Sequence, residues 1–174
     1  MSNPPAKGYR ALRDGRFSQP GGTYFITFCT HDRAPDLAAA PLARLIIAEL
    51  DALRADEIWT LHCGTIMSDH VHLLIELGPL LPLGKAVARL KAKTSPLLRA
   101  DGLKWQPGYF DHRLRPNENL LPYFIYTYLN PYRANLLPAE EKWPWFIGAS
   151  QDRDWFLPML NDCLPEPAWL THLP

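Results

Sequence analysis

Met67-Ser68-Asp69-His70-Val71-His72-Leu73-Leu74-Ile75-Glu76-Leu77 is a short turn followed by an apolar run that opens with two histidines. A run of this length, bounded by turn residues, predicts a buried strand over 70–77. Side chains alternate across a strand, so His70 and His72 project to one face and Val71 to the other. Two imidazoles held together on a rigid strand are most of a metal site. The turn before them places the pair at the mouth of the strand, where a site can stay open to substrate. The plainer alternative is two histidines on the polar face of a half-exposed strand. A metal site needs a third ligand and a reactive group from elsewhere in the chain.

The preceding segment, 58–66, alternates and is rich in β-branched and aromatic residues, so it pairs with 70–77 as a hairpin. Residues 23–29, Thr-Tyr-Phe-Ile-Thr-Phe-Cys, read as a first strand, and His31-Asp32-Arg33 as the loop that leaves it. Between these strands Leu42, Leu45, Ile46, Leu50 and Leu53 recur at helical spacing, which predicts an amphipathic helix over 42–55. A second helix is expected over 83–98, with Pro96 kinking or restarting it. A short strand is expected within 105–115. A third helix runs from 119 to about 129, ended or interrupted at Asn130-Pro131. A further helical turn is open over 132–137. The order strand, helix, strand, strand, helix, strand matches an α+β, ferredoxin-like fold. It predicts a four-stranded antiparallel sheet with an added C-terminal helix. Three parts follow: a basic arm over 1–22, the main domain over 23–137, and a Pro/Trp-rich acidic tail over 138–174 packed on the same domain.

The 174 residues suffice for one domain with a substantial core, and 47% apolar with 21% charged is an ordinary globular composition. No apolar run reaches the ~18 residues of a membrane span. The first residues lack the apolar core of a signal peptide. Three cysteines without a C-x-x-C pair argue against a disulfide framework or a cysteine zinc site, and fit the reducing cytoplasm. The zero net charge hides an asymmetry. Residues 85–115 hold eight cationic side chains against two acidic ones, a local +6, whereas 139–174 hold two against six, a local −4. Lys85, Arg89 and Lys93 make one stripe on the second helix, and Arg10, Arg13 and Arg16 lie in the arm. Such local fields can bind a polyanion, although a solvated face is the commoner role of a single basic stripe.

On the third helix, Tyr126 and Asn130 share a face one turn apart. The Asn130 carbonyl is a hard oxygen that would complete a two-His, one-oxygen site with open positions for phosphate. Tyr126 would present its hydroxyl beside such an ion. A tyrosine with an ordinary pKa near 10 is a poor nucleophile, and a divalent ion on the phosphate offsets this by stabilising charge during attack. Taken alone, each residue also reads as structural, the tyrosines as interface aromatics and Asn130 as a cap.

His70-Val71-His72 followed by Tyr126 and Asn130 resembles the single-tyrosine HUH endonucleases, in particular the REP-associated tyrosine transposases of bacteria. The likeness runs from Gly21-Gly22-Thr23-Tyr24 through 67–77 and 105–115 to 126–137 and ends at Trp143-Pro144-Trp145. It implies that His70, His72 and Asn130 hold Mg²⁺ or Mn²⁺. It also implies that Tyr126, four before the Asn of Asn-Pro, attacks single-stranded DNA. The product is a covalent 5′-phosphotyrosine and a free 3′-hydroxyl, which can attack the adduct in turn. The implied substrate is a short palindromic repeat folded as a hairpin and cut in its single-stranded flank. His112 and Arg113 resemble a family segment near the site, and with Arg115 they are expected to contact DNA. The family contains monomers and homodimers. Two other classes fit parts of the pattern. One is a non-catalytic single-stranded nucleic-acid-binding module. The other is a metal phosphoesterase that uses hydroxide, with Tyr126 a bystander.

Overall fold

The computed structural model describes residues 18–138 and 141–148 of the chain. The elements are β1 (Thr23–Cys29), a 3-10 turn (His31–Arg33), α1 (Ala40–Ala55), β2 (Trp59–Ile66) and β3 (His70–Leu77). They continue with α2 (Leu83–Ala100), β4 (Phe110–Arg113), α3 (Leu121–Arg133) and β5 (Phe146–Gly148). Every strand pair is antiparallel, in the order β4-β1-β3-β2-β5. The strand with the two histidines is therefore central. Among the described residues no helix is long and apolar enough to cross a membrane.

The expected mixed fold and antiparallel sheet are present, but the sheet has five strands rather than four. The fifth comes from the Pro/Trp-rich segment, where the sequence shows no period. β5 is three residues long, too short to show alternation. Its backbone pairs with the free edge of β2, Gly64 opposite Ile147 and Thr65 opposite Phe146. The arm residues Arg10, Arg13 and Arg16 lie outside the described residues, as does most of the acidic tail.

The helices neither restart at Pro96 nor end at Asn130-Pro131. α2 runs through Pro96 to Ala100. Pro96 withholds an N–H from the carbonyl of Ala92, an exposed residue that water can reach. α3 runs through Asn130 and Pro131 to Arg133. Pro131 is buried, and the helix stops instead at Asn135, whose φ of 53° is left-handed. Asn135 N–H donates to Tyr132 O and Leu136 N–H to Pro131 O, the paired bonds that end a helix at a left-handed residue. The start of α3 is held by Asn119, whose side-chain oxygen accepts the Leu121 N–H at 2.9 Å.

Alternation divides the sheet into two faces. Val71, Leu73, Ile75 and Leu77 of β3 join Tyr24, Ile26 and Phe28 of β1 against α1 and α2 in the main core. Phe25, Cys63 and Leu74 point the other way and meet Tyr123 of α3. Ile125, Tyr128 and Leu129 extend that layer with Phe146 of β5 packed on them. Phe146 of β5 thus backs the helix that carries the tyrosines. His70 and His72 lie on this second face by the same alternation, beneath α3.

Candidate active site

His72 is 5% exposed and sits between two threonines, opposite Thr27 on β1 and Thr65 on β2. Its Nδ1 is 2.7 Å from the Thr27 hydroxyl. The His70 Nδ1 is 2.5 Å from Oδ1 of Asp69, the residue before it. With Nδ1–H donated to these oxygens, the Nε2 of each ring is free to act as a ligand. The two Nε2 atoms stand 3.0 Å apart, with ring planes at 80°. Burial, then the charges of His70 and Arg33, hold the His72 pKa well below the usual imidazole range, which keeps it neutral. Hydrogen bonding from His70 lowers the Asp69 pKa against the opposing effect of burial, so Asp69 stays a carboxylate.

These features suit a divalent cation. At metal–nitrogen distances near 2.1 Å, ligands in adjacent octahedral positions stand about 3.0 Å apart. Among the described residues no group of three His, Cys, Asp or Glu side chains is placed to hold a metal ion. A third protein donor would then be a neutral oxygen such as that of Asn130.

α3 brings its tyrosines down in three different places. Tyr126 stands edge-on to His72, with centroids 5.1 Å apart, and edge-on to Phe25 at 5.7 Å. Tyr128, about 200° further round the helix, packs on Phe146 and Tyr132. Tyr123 packs on Phe25 and stacks on His112. Burial raises the Tyr126 pKa, while a hydrogen bond with Asn130 and the charges of Arg133 and Arg33 pull it back. The structure therefore places Tyr126 against His72 and, through it, beside His70, with Asn130 hydrogen-bonded to Tyr126.

The other expected contacts are dispersed. His112 is on the same face as His72 but engaged elsewhere, its Nε2 2.9 Å from Glu118. Glu118 also accepts from the Tyr123 hydroxyl and from the Arg115 N–H at 3.0 Å. Burial would raise the Glu118 pKa, but these bonds outweigh it and hold the group at about 2. Arg113 and Arg115 are exposed near this cluster. Lys85, Arg89 and Lys93 lie on α2, which covers the opposite face of the sheet from the histidines. Arg89 is paired with Asp56 at the end of α1. Lys91 is withdrawn from the basic stretch altogether. It donates to Gln106 O at 2.9 Å and lies over the Phe28 and Trp105 rings. Sequence reasoning missed Thr27, Asp69 and Arg33 as site neighbours and Glu118 as the partner of His112. Asp69 alone carries a local signal, an acid adjacent to a candidate ligand histidine, but the same acid is also ordinary turn chemistry.

Residues 19–114 match the family described as Transposase IS200 like. This chain belongs to that family. The matched segment contains both histidines and ends before α3, so Tyr126 and Asn130 lie beyond it. A REP-associated tyrosine transposase of Escherichia coli K12 is 25% identical over 133 residues, spanning 74% of this chain and 78% of its own. A solved REP-associated tyrosine transposase bound to a REP hairpin superposes with a TM-score of 0.63 at 20% identity, over 75% of this chain and 79% of its own. That likeness establishes a shared fold for this transposase family member.

Proposed function

We propose that this transposase is a metal-dependent single-stranded DNA endonuclease and strand transferase that acts through a covalent 5′-phosphotyrosine at Tyr126. The observation that carries the reading is the placement of Tyr126 directly against His72, one of two imidazoles whose Nε2 atoms are 3.0 Å apart. Family membership supports it. So does the relative bound to a REP hairpin, which points to hairpin DNA from a palindromic repeat as the substrate.

In this reading His70, His72 and Asn130 hold Mg²⁺ or Mn²⁺. The ion, when bound, draws charge from the scissile phosphate and orients it in line. Asp69 and Thr27 fix the two imidazoles so that Nε2 faces the site. Asn130 holds the Tyr126 hydroxyl in position. The phenolic oxygen bonds to phosphorus as the P–O3′ bond breaks, and the phenolic proton is passed to the departing 3′ oxygen. One phosphodiester replaces another, so the reverse reaction with a 3′-hydroxyl joins strands. The raised Tyr126 pKa makes the neutral phenol the resting form, so attack requires loss of that proton as the new bond forms.

The test is a denaturing gel with labelled hairpin DNA from the repeats flanking its own gene. Wild type and Tyr126→Phe are compared in Mg²⁺, Mn²⁺ and chelator. A metal-dependent covalent protein–DNA band that is absent in Tyr126→Phe is expected. Cleavage that persists without Tyr126 would indicate hydroxide chemistry, and metal-independent binding without cleavage a binding module.

A further inference from the structure

After β1 the chain turns through His31–Arg33 with Asp32 and Arg33 both left-handed, each with φ of 54°. Neither is glycine, so the turn is strained and needs its surroundings to hold it. Those surroundings are long-range. Thr30 N–H donates to Asp69 O at 2.8 Å, and Leu37 N–H donates to Ser68 O at 2.8 Å. The buried Thr30 hydroxyl lies 2.7 Å from Ala34 O and 3.0 Å from Asp69 O. The strained turn is thereby stapled to the turn that opens β3.

The result is a guanidinium delivered to the mouth of the site. Arg33 Nη1 stands 3.4 Å from Oδ2 of Asp69, while Oδ1 of the same carboxylate takes His70. Among the described residues this long contact is the one polar bond of the Arg33 side chain, which is 50% exposed. A guanidinium presents five donors in a planar fork, so the fork remains available to an anion. Its charge reaches both His72 and Tyr126.

We propose that Arg33 grips the phosphate that Tyr126 attacks, binding a non-bridging oxygen while Asp69 holds the guanidinium in place. This rests on the covalent reading of Tyr126. In the displacement Tyr126 O–P forms, P–O3′ breaks, and the proton goes from phenol to the 3′ oxygen. Arg33 exchanges no proton. It supplies fixed positive charge where negative charge accumulates on the phosphoryl oxygens.

Phosphate-ethylation interference tests this at every phosphate of the hairpin at once, so the cut site need not be chosen beforehand. The labelled repeat hairpin is ethylated about once per strand, then separated into bound and free fractions in Mg²⁺ with wild type, Arg33→Gln and Arg33→Lys. One phosphate is expected whose ethylation weakens wild-type binding about tenfold more than it weakens Arg33→Gln binding, the remaining effect in the variant coming from the metal. That phosphate should be the one joined to the protein in the wild-type adduct. Adduct formation should slow by about 10²–10³-fold in Arg33→Gln, with partial recovery in Arg33→Lys. Circular dichroism establishes that each variant is folded. If Arg33→Gln does not fold, Arg33→Lys decides, because a lysine keeps the charge and loses the fork. The proposal is overturned by identical interference patterns in wild type and Arg33→Gln, by a lost contact at another phosphate, or by a folded variant that cleaves at the wild-type rate. A wild type that binds but forms no adduct refutes the Tyr126 reading, while the interference pattern still tests the arginine. A wild type that does not bind the hairpin refutes both.

Discussion

Tyr126 and His72 meet edge to face, with ring planes 70° apart and centroids separated by 5.1 Å. The contact joins a helix to the central strand of the sheet and is reinforced by Phe25, whose ring stacks on His72 at 5.4 Å. Three aromatic side chains from β1, β3 and α3 therefore set the distance between the candidate nucleophile and the imidazole pair.

The geometry of the pair predicts metal-dependent stabilisation. If both Nε2 atoms take one ion, Mn²⁺ at about 100 times its dissociation constant should stabilise the wild type by about 2.7 kcal/mol, or roughly 5–10 °C in Tm. Calorimetry should show this shift in wild type and lose most of it in His70→Ala and His72→Ala. An equal shift in all three proteins would rule out the pair as the site.

Asp69 should act on metal affinity. Asp69→Asn keeps the shape but replaces the carboxylate that orients His70, so Mn²⁺ affinity should fall about 10–100-fold. Titration followed by electron paramagnetic resonance reads this directly. Unchanged affinity would mean that the 2.5 Å contact does not control the ring.

Phe25 should be costly to truncate. It is fully buried and touches His72, Tyr123 and Tyr126. Phe25→Ala should lose about 3–5 kcal/mol of stability, measured by urea unfolding, with Phe25→Leu losing less. A loss under about 1 kcal/mol would show that α3 does not bear on the sheet as described.

Glu118 predicts an acid dependence. Its folded pKa, about 2, lies below its unfolded value near 4.3, so the unfolded chain binds the proton more readily. The stabilisation is full above the unfolded pKa and is lost as pH falls through the folded one. The stability difference between wild type and Glu118→Gln should be constant from about pH 6 upward, shrink below about pH 4, and be nearly gone at about pH 2. A difference that does not change between pH 6 and pH 3 would contradict this.

Much of the fold was legible from local pattern. The bounds of β1 and β3 coincide with their apolar runs, because alternation is a property of the strand itself. The same period places His70 and His72 on one face whatever lies around them. Helix ends were less legible. Pro96 and Pro131 are stop signals by backbone chemistry, yet each costs one hydrogen bond that packing and solvent can offset, and the helices continue.

From sequence alone, then, came the paired imidazoles on one strand face, the alternation of helices and strands, and the one-turn spacing of Tyr126 and Asn130. The family resemblance selects Tyr126 among three tyrosines within six residues, and the seat of α3 on the sheet is what sets Tyr126, and not Tyr123 or Tyr128, against His72. Tertiary structure also decided that Asp69 and Thr27 orient the rings, that Arg33 returns to the site through a strained turn, and that a three-residue strand backs α3. Apart from the contact between the neighbours Asp69 and His70, each depends on contacts between segments tens of residues apart. Local periodicity carries no record of such contacts; they form because burying both faces of the sheet leaves these side chains few other places to go.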